Sequence, residues 1–293
     1  MSDPYLVMGI VNVTPDSFSD GGLFLDRDTA IEHGLRLVHE GAHILDVGGE
    51  STRPGAAPVG LDEELRRVVP VVEGLAERGI AAQISIDTSK AAVGRAALAA
   101  GASLVNDVTA LRGDPDMVQA VAESEAQCCL MHMLGEPRTM QVQPRYEDVV
   151  DDVKAFLHER LSFAVGEGIS EERILLDPGI GFGKTVEHNL QLLNRLEEIV
   201  ALGRPVVVGT SRKSFLGRIA AARRPPPEAA AESPVEERLA GTIATNVLAL
   251  ERGASVFRVH DVAPMADALA VASATLTARW TKSDPTSPTS RTV

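Results

Sequence analysis

Pro205-Val-Val-Val-Gly-Thr-Ser-Arg-Lys-Ser-Phe-Leu-Gly217 is the stretch whose reading decides the fold. A short apolar run, the right length for a buried strand, ends at Gly209; polar residues and Lys213 follow, and helical spacing opens near Ser214. The stretch therefore reads as strand, loop and helix N-terminus. The first N–H groups of a helix lack internal partners and sit at its positive end, so with Arg212 and Lys213 beside them they offer an anion a docking point.

The same unit recurs along the chain. Strand-like runs are expected at 5–11, 43–47, 83–86, 103–105, 127–131, 173–176, 205–208 and 255–259. Helical spacing lies between and after them at 28–40, 62–78, 90–100, 116–123, 146–167, 186–202, 214–222 and 234–252. Gly41, Gly79, Gly101, Gly168, Gly203 and Gly253 follow these helices, where a left-handed residue commonly ends the helix. Eight βα units predict an α/β fold, a TIM (β/α)8 barrel with its active site at the C-terminal ends of the strands, and 293 residues suffice for the roughly 250 it needs. An open doubly wound sheet is the alternative, but the first loop lacks that fold's glycine fingerprint.

Composition narrows the function. A net charge of -13 opposes general affinity for nucleic acid or an anionic membrane, so any anion site must be local. No apolar run is long enough to span a bilayer, and Met-Ser-Asp-Pro at the start does not resemble a signal peptide; a cytoplasmic protein is expected. Adjacent Cys128 and Cys129 fit core thiols of a strand better than a disulfide framework or a zinc ribbon. A single barrel domain is expected over 1–280, with a Pro/Ala-rich surface insertion at about 223–234 and a disordered tail at 281–293.

In such a barrel the reacting groups sit where strands end. The expected strands run into Asn12, Asp46, Asp87, Asn106, His132, Asp177, the Thr210–Lys213 loop, and Arg258 with His260. For any one of these, helix capping or turn formation is the ordinary role, and Asp107 and Asp261 are assigned to it. Several buried charges converging on one mouth, however, imply a ligand. Arg258, His260 and Asn12 suit a diphosphate, with Asn12 as an oxygen ligand for the magnesium such groups carry. Asp177, Asn106 and Lys213 suit the edge of a planar nitrogen heterocycle.

Two other patterns are weaker. His39-Glu-Gly-Ala-His43 spells a metalloprotease motif, but its histidines fall on a helix end and the next strand rather than on one helix. Gly179-Ile-Gly-Phe-Gly-Lys184 mimics a phosphate loop with the wrong spacing, although Thr185 follows the lysine. His132 is assigned to packing or hydrogen bonding, and His33, His158 and His188 to the surface.

Met8 to Gly22, Asp46 to Gly55, Asp177 to Lys184, Ser211-Arg-Lys213 and Arg258-Val-His260 together resemble, in order, the motifs of the dihydropteroate synthase family of folate biosynthesis. The resemblance implies a barrel enzyme joining 6-hydroxymethyl-7,8-dihydropterin diphosphate to 4-aminobenzoate, with Mg2+ and as a homodimer. By that likeness Asp87, Asn106, Asp177 and Lys213 hold the pterin, Asn12 contacts magnesium, and Arg258, Val259 and His260 lie at the diphosphate. Thr52 matches a position contacting the pterin substrate, while Arg53, Pro54, Phe18, Phe182 and Ser214 match mobile loops and the aminobenzoate pocket. Asp87, Lys213, Asn12, Arg258 and His260 are the implied catalytic set. A pterin-binding methyltransferase barrel and a silent pterin-binding paralogue are the rivals; neither needs the diphosphate residues together with Ser211-Arg-Lys213.

Overall fold

A computed structural model of the chain describes residues 5–13, 23–52, 56–136, 139–224 and 232–278, with side chains of the first helix from residue 27 onward. Eight parallel strands alternate with helices: β1 Leu6–Asn12, α1 Leu23–His39, β2 Ile44–Gly48, α2 Leu61–Glu77, β3 Gln83–Asp87, α3 Ala91–Ala99, β4 Leu104–Asp107 and α4 Met117–Ala122. There follow β5 Gln127–Met131, α5 Val149–Gly166, β6 Ile174–Asp177, α6 Val186–Asn194, α7 Glu197–Val200, β7 Val207–Val208, α8 Ser214–Ala221, α9 Leu239–Glu251, β8 Val256–Val259 and α10 Val262–Thr277. The sheet order is β6-β5-β4-β3-β2-β1-β8-β7. Its two edges meet through the parallel bridge Leu176–Val206 and a 3.0 Å bond from Leu176 N to Pro205 O, making a nearly closed TIM-like barrel.

Side chains alternate across each strand, and the alternation sorts the core into two parts. One apolar cluster holds Met8, Ile44, Leu104, Cys129, Leu175, Val207 and Val256, the inward positions. Residues one step away, such as Val7, Leu45, Ile86, Val105, Leu130, Leu176 and Phe257, face outward into the layer shared with the helices. Cys128 and Cys129 are buried free thiols on opposite faces of β5, as a strand requires. All six glycines expected to end helices have positive φ, from 60° at Gly79 to 115° at Gly101.

Several boundaries differ from expectation, each for a physical reason. Strands β1, β2, β3, β4 and β6 run at least one residue further than their apolar runs, because Asn12, Gly48, Asp87, Asp107 and Asp177 still pair in the ladder although none of them is a large apolar residue. Regular pairing in β7 shrinks to two residues: Pro205 has no N–H, and Val206 gives its carbonyl to Ser255 N and Val256 N, both at 3.1 Å. The single helix expected over 186–202 is two, broken at Arg195 and Leu196. Helix α5 starts at Val149 because Asp148 caps it, accepting from Val150 N and Asp151 N. A 3-10 turn, Val235–Arg238, precedes α9. Residues 225–231 of the insertion, Trp280 and the tail lie outside the described residues. No described helix is long and apolar enough to cross a membrane.

Candidate active site

Two residues further along the strands that bury Ile44, Leu104 and Val256, the barrel interior becomes polar. Asp46, fully buried, accepts from Ser85 Oγ at 2.6 Å, Asn106 Nδ2 at 3.0 Å and Arg258 Nε at 2.6 Å. Arg258 also donates through Nη2 to Asp87 Oδ2 at 2.7 Å. Strands β2, β3, β4 and β8 are thus tied through one carboxylate. Burial opposes the charge of Arg258, but Asp46 and Asp87 together raise its pKa, so it stays a cation. For Asp87, burial pushes the carboxyl up to about 7 against the pull of Arg258, with Asp46 adding repulsion.

Asp177 ends β6 on the same mouth. Its Oδ1 accepts from Gly179 N at 2.7 Å; burial raises its pKa, while Lys213 and Arg258 are close enough to oppose that rise. Charges from β6, β7 and β8 therefore share one space. The loop after β6 alternates Gly179, Gly181 and Gly183, all at positive φ, with Ile180, Phe182 and Lys184. A Cβ at Gly179 would lie 1.8 Å from the His132 carbonyl oxygen, and one at Gly181 would lie 2.9 Å from Lys213 Cδ. Glycine here lets the loop press against strand β5 on one side and Lys213 on the other. The Lys213 ammonium consequently sits 3.9 Å from the centre of the Phe182 ring.

The loop after β7 corrects one expectation. Arg212, at φ 59°, gives Nε and Nη2 to Asp261 at 3.0 and 2.6 Å, so it is committed to β8's end rather than offered to an anion. Asp261, expected to cap or turn, instead holds this bidentate pair, and its side chain makes no cap bond to α10. Asp107 behaves as expected, accepting from Thr109 N, Thr109 Oγ1 and Leu111 N. Lys213 occupies the N-cap position of α8, with Ser214 exposed at its first residue. Ser211 Oγ and His260 Nδ1 are 2.9 Å apart, and His260 N donates to Ser211 Oγ at 3.1 Å, which fixes the end of β8 beside this loop.

Of the remaining expected residues, Asn12 stands half-buried at the inward end of β1. Thr52 borders a cavity of ≈ 370 Å³ together with Asp87, Glu50, Thr88, Val108 and Glu136. Between Arg258 and His260 the alternation turns the Val259 side chain into the outer apolar layer, which leaves only its backbone on the side of the mouth. Phe18, Arg53 and Pro54 lie outside the described residues. The two weaker motifs also resolve. Gly41 ends α1 before His43, whose Nδ1 accepts from Val7 N at 3.0 Å, and Thr185 forms a capping box with His188 at the start of α6. His33, expected at the surface, is half-buried, with Nε2 3.3 Å from the Ile10 carbonyl oxygen.

Sequence reading missed the supporting residues. Buried Glu64 of α2 accepts from Thr88 Oγ1 at 2.6 Å and pairs with Lys90, which also holds Glu50. Ser85 is two residues before Asp87 on an inward face, a signal that alternation alone could have raised. His132 meets Lys184, a buried pair that nothing in the linear spacing indicates.

No group of three or more His, Cys, Asp or Glu among the described residues is arranged to hold a metal. Asn12, the magnesium ligand expected from the sequence, can offer one amide oxygen, far fewer than a dedicated cation cage requires.

The pterin binding enzyme family matches residues 8–260. Dihydropteroate synthase of Escherichia coli is 45% identical over 282 residues, covering 96% of this chain and 95% of that one. A dihydropteroate synthase structure from Xanthomonas albilineans with 4-aminobenzoic acid superposes with a TM-score of 0.84 at 49% identity, covering 93% of each chain. The same enzyme in complex with 7,8-dihydropteroate gives 0.81 at 46% identity, over 93% of this chain and 94% of that one.

Proposed function

The chain belongs to the dihydropteroate synthase family, and on that premise we propose how its residues join 6-hydroxymethyl-7,8-dihydropterin diphosphate to 4-aminobenzoate, forming 7,8-dihydropteroate and diphosphate. The observation that carries the assignment of residues is the convergence of Asp87, Asn106, Asp177, Lys213 and Arg258 from five different βα units on one barrel mouth. Asp177 and Asn106 supply an acceptor and an amide for the polar edge of the pterin, and Lys213 donates at the same edge. Thr52 serves the pterin side, while Phe182 and Ser214 serve the aminobenzoate side, where the substrate carboxylate lies at the opening of α8; the family likeness adds Arg53, Pro54 and Phe18, which lie outside the described residues, to that side.

The bond to be broken joins oxygen to a methylene conjugated with an electron-rich ring, so loss of diphosphate leaves a delocalised cation. Arg258, held in place by Asp46, and His260, held by Ser211, stabilise the charge on the departing group. Two of the five guanidinium N–H donors of Arg258 are used by Asp46 and Asp87, which leaves others for phosphate oxygens. Asn12 would hold a magnesium ion carried in with the diphosphate, and that ion would supply further neutralisation of the departing charge. Asp87, once ionised, stabilises the pterin cation. The arylamine is neutral at working pH and attacks without a strong base. By the family likeness the loops after β1 and β2, of which 14–22 and 53–55 lie outside the described residues, would keep out water able to capture the cation.

Incubating the protein with the pterin diphosphate, magnesium and labelled 4-aminobenzoate is expected to give labelled dihydropteroate. In a single turnover without aminobenzoate, diphosphate is expected to be released; a strict requirement for the amine would overturn the dissociative order. The same family likeness supports a cytoplasmic homodimer with one pterin-binding domain, and sedimentation checks the assembly.

A further inference from the structure

Behind the aminobenzoate side of the mouth lies a lysine that the reaction does not use. Lys184 is 3% exposed, and among the described residues no carboxylate lies within ion-pair distance of it. Its amine has two hydrogen-bond partners: His132 Nδ1 at 2.9 Å and the Phe182 carbonyl at 3.0 Å. Both are neutral. Burial lowers the amine to about 7, with Lys213 lowering it further and Asp177 opposing. The amine thus has two acceptors within reach, and either protonation state has N–H groups enough to donate to both. Burial keeps His132 neutral, and in its Nε2–H tautomer Nδ1 accepts from that donor.

The carbonyls beside it are held in the same way. Gln141 Nε2 donates to Gly181 O at 2.5 Å, and Tyr146 Oη to Gly183 O at 2.8 Å. Three consecutive carbonyls, at 181, 182 and 183, therefore each accept from a side chain. With three positive-φ glycines the loop has little conformational preference of its own, and these bonds select its path. The middle one is the bond to Phe182, whose ring meets the Lys213 ammonium.

Resting on the reading of Phe182 and Lys213 given above, we propose that Lys184 is a positioning residue: gripped by His132, its amine holds the Phe182 carbonyl and thereby sets the ring of Phe182 against Lys213, tuning affinity for 4-aminobenzoate. It touches neither substrate and acts through the loop.

The test is steady-state kinetics on K184M, F182L and the double variant. K184M is expected to raise KM for 4-aminobenzoate about tenfold while KM for the pterin diphosphate stays within about twofold. If Lys184 acts through Phe182, K184M/F182L is no worse than F182L alone, because coupled changes do not add. His132 gives an independent arm: H132L, which lacks an acceptor, is expected to match K184M, and H132Q, which retains one, to stay near wild type. Should K184M fail to fold, the two His132 variants decide the matter. Equal rises in both KM values, no rise in either, full additivity in the double variant, or equal behaviour of H132L and H132Q would overturn the proposal. A wild-type protein that forms no dihydropteroate would instead overturn the parent reading.

Discussion

Two storeys of one barrel, separated by a single step of strand alternation, have opposite chemistry. The lower is apolar, with Ile44, Leu104, Leu175 and Val256 buried against Met8 and Val207. The upper, on the same strands and the same inward face, holds Asp46, Asn106, Asp177 and Arg258. The lower storey gains from area removed from water, at about 25 cal/mol per Å². The upper does not: its charges cost desolvation, and they persist because Asp46 pairs with Arg258 and Asp177 accepts from Gly179 N. The same position on a strand can therefore serve stability or chemistry, depending only on its distance from the mouth.

Breaking the upper storey is expected to cost most. D46L leaves Arg258, Ser85 and Asn106 without their shared acceptor, and urea unfolding should show a loss of about 3–5 kcal/mol, with activity gone. K213M addresses the same storey from its edge: kcat/KM should fall on the order of a hundredfold to a thousandfold, with little change in thermal midpoint. In the lower storey L175A should cost about 3 kcal/mol of stability. The folded fraction should keep near-normal kcat, which is the contrast with D46L. If L175A abolished kcat as D46L does, the two storeys would not be separable.

The remaining effect concerns pH. Burial lowers His132 to about 2, with Lys184 adding to the fall, whereas an unfolded chain protonates it near 6.5. Between those values unfolding takes up a proton, so His132 makes stability fall as pH drops from 6.5, by up to about 1.4 kcal/mol per pH unit. Above 6.5 both states hold it neutral and the contribution is constant. H132Q should have a flatter acid limb in chemical unfolding at pH 4 to 7 than wild type.

How much of this was legible in the chain differs by kind of interaction. Eight βα units and the six helix-ending glycines could be read because alternation, helical spacing and positive φ are local properties of a few neighbouring residues. The residues at strand ends were legible for the same reason, since the strand ladder fixes where they stand. For Val259 the same period-two geometry leaves only the backbone on the side of the mouth, since its side chain joins the outer apolar layer. Arg212 was misjudged because its partner, Asp261, is 49 positions away.

The sequence by itself determined the repeat, the barrel and the set of polar residues at its mouth. Only the tertiary structure decided which of them are partners: Asp46 with Arg258 across 212 positions, Lys184 with His132 across 52, Arg212 with Asp261. The physical reason is that backbone preferences act over a few residues, whereas hydrogen bonds and desolvation depend on distances in space that closure of the barrel alone sets.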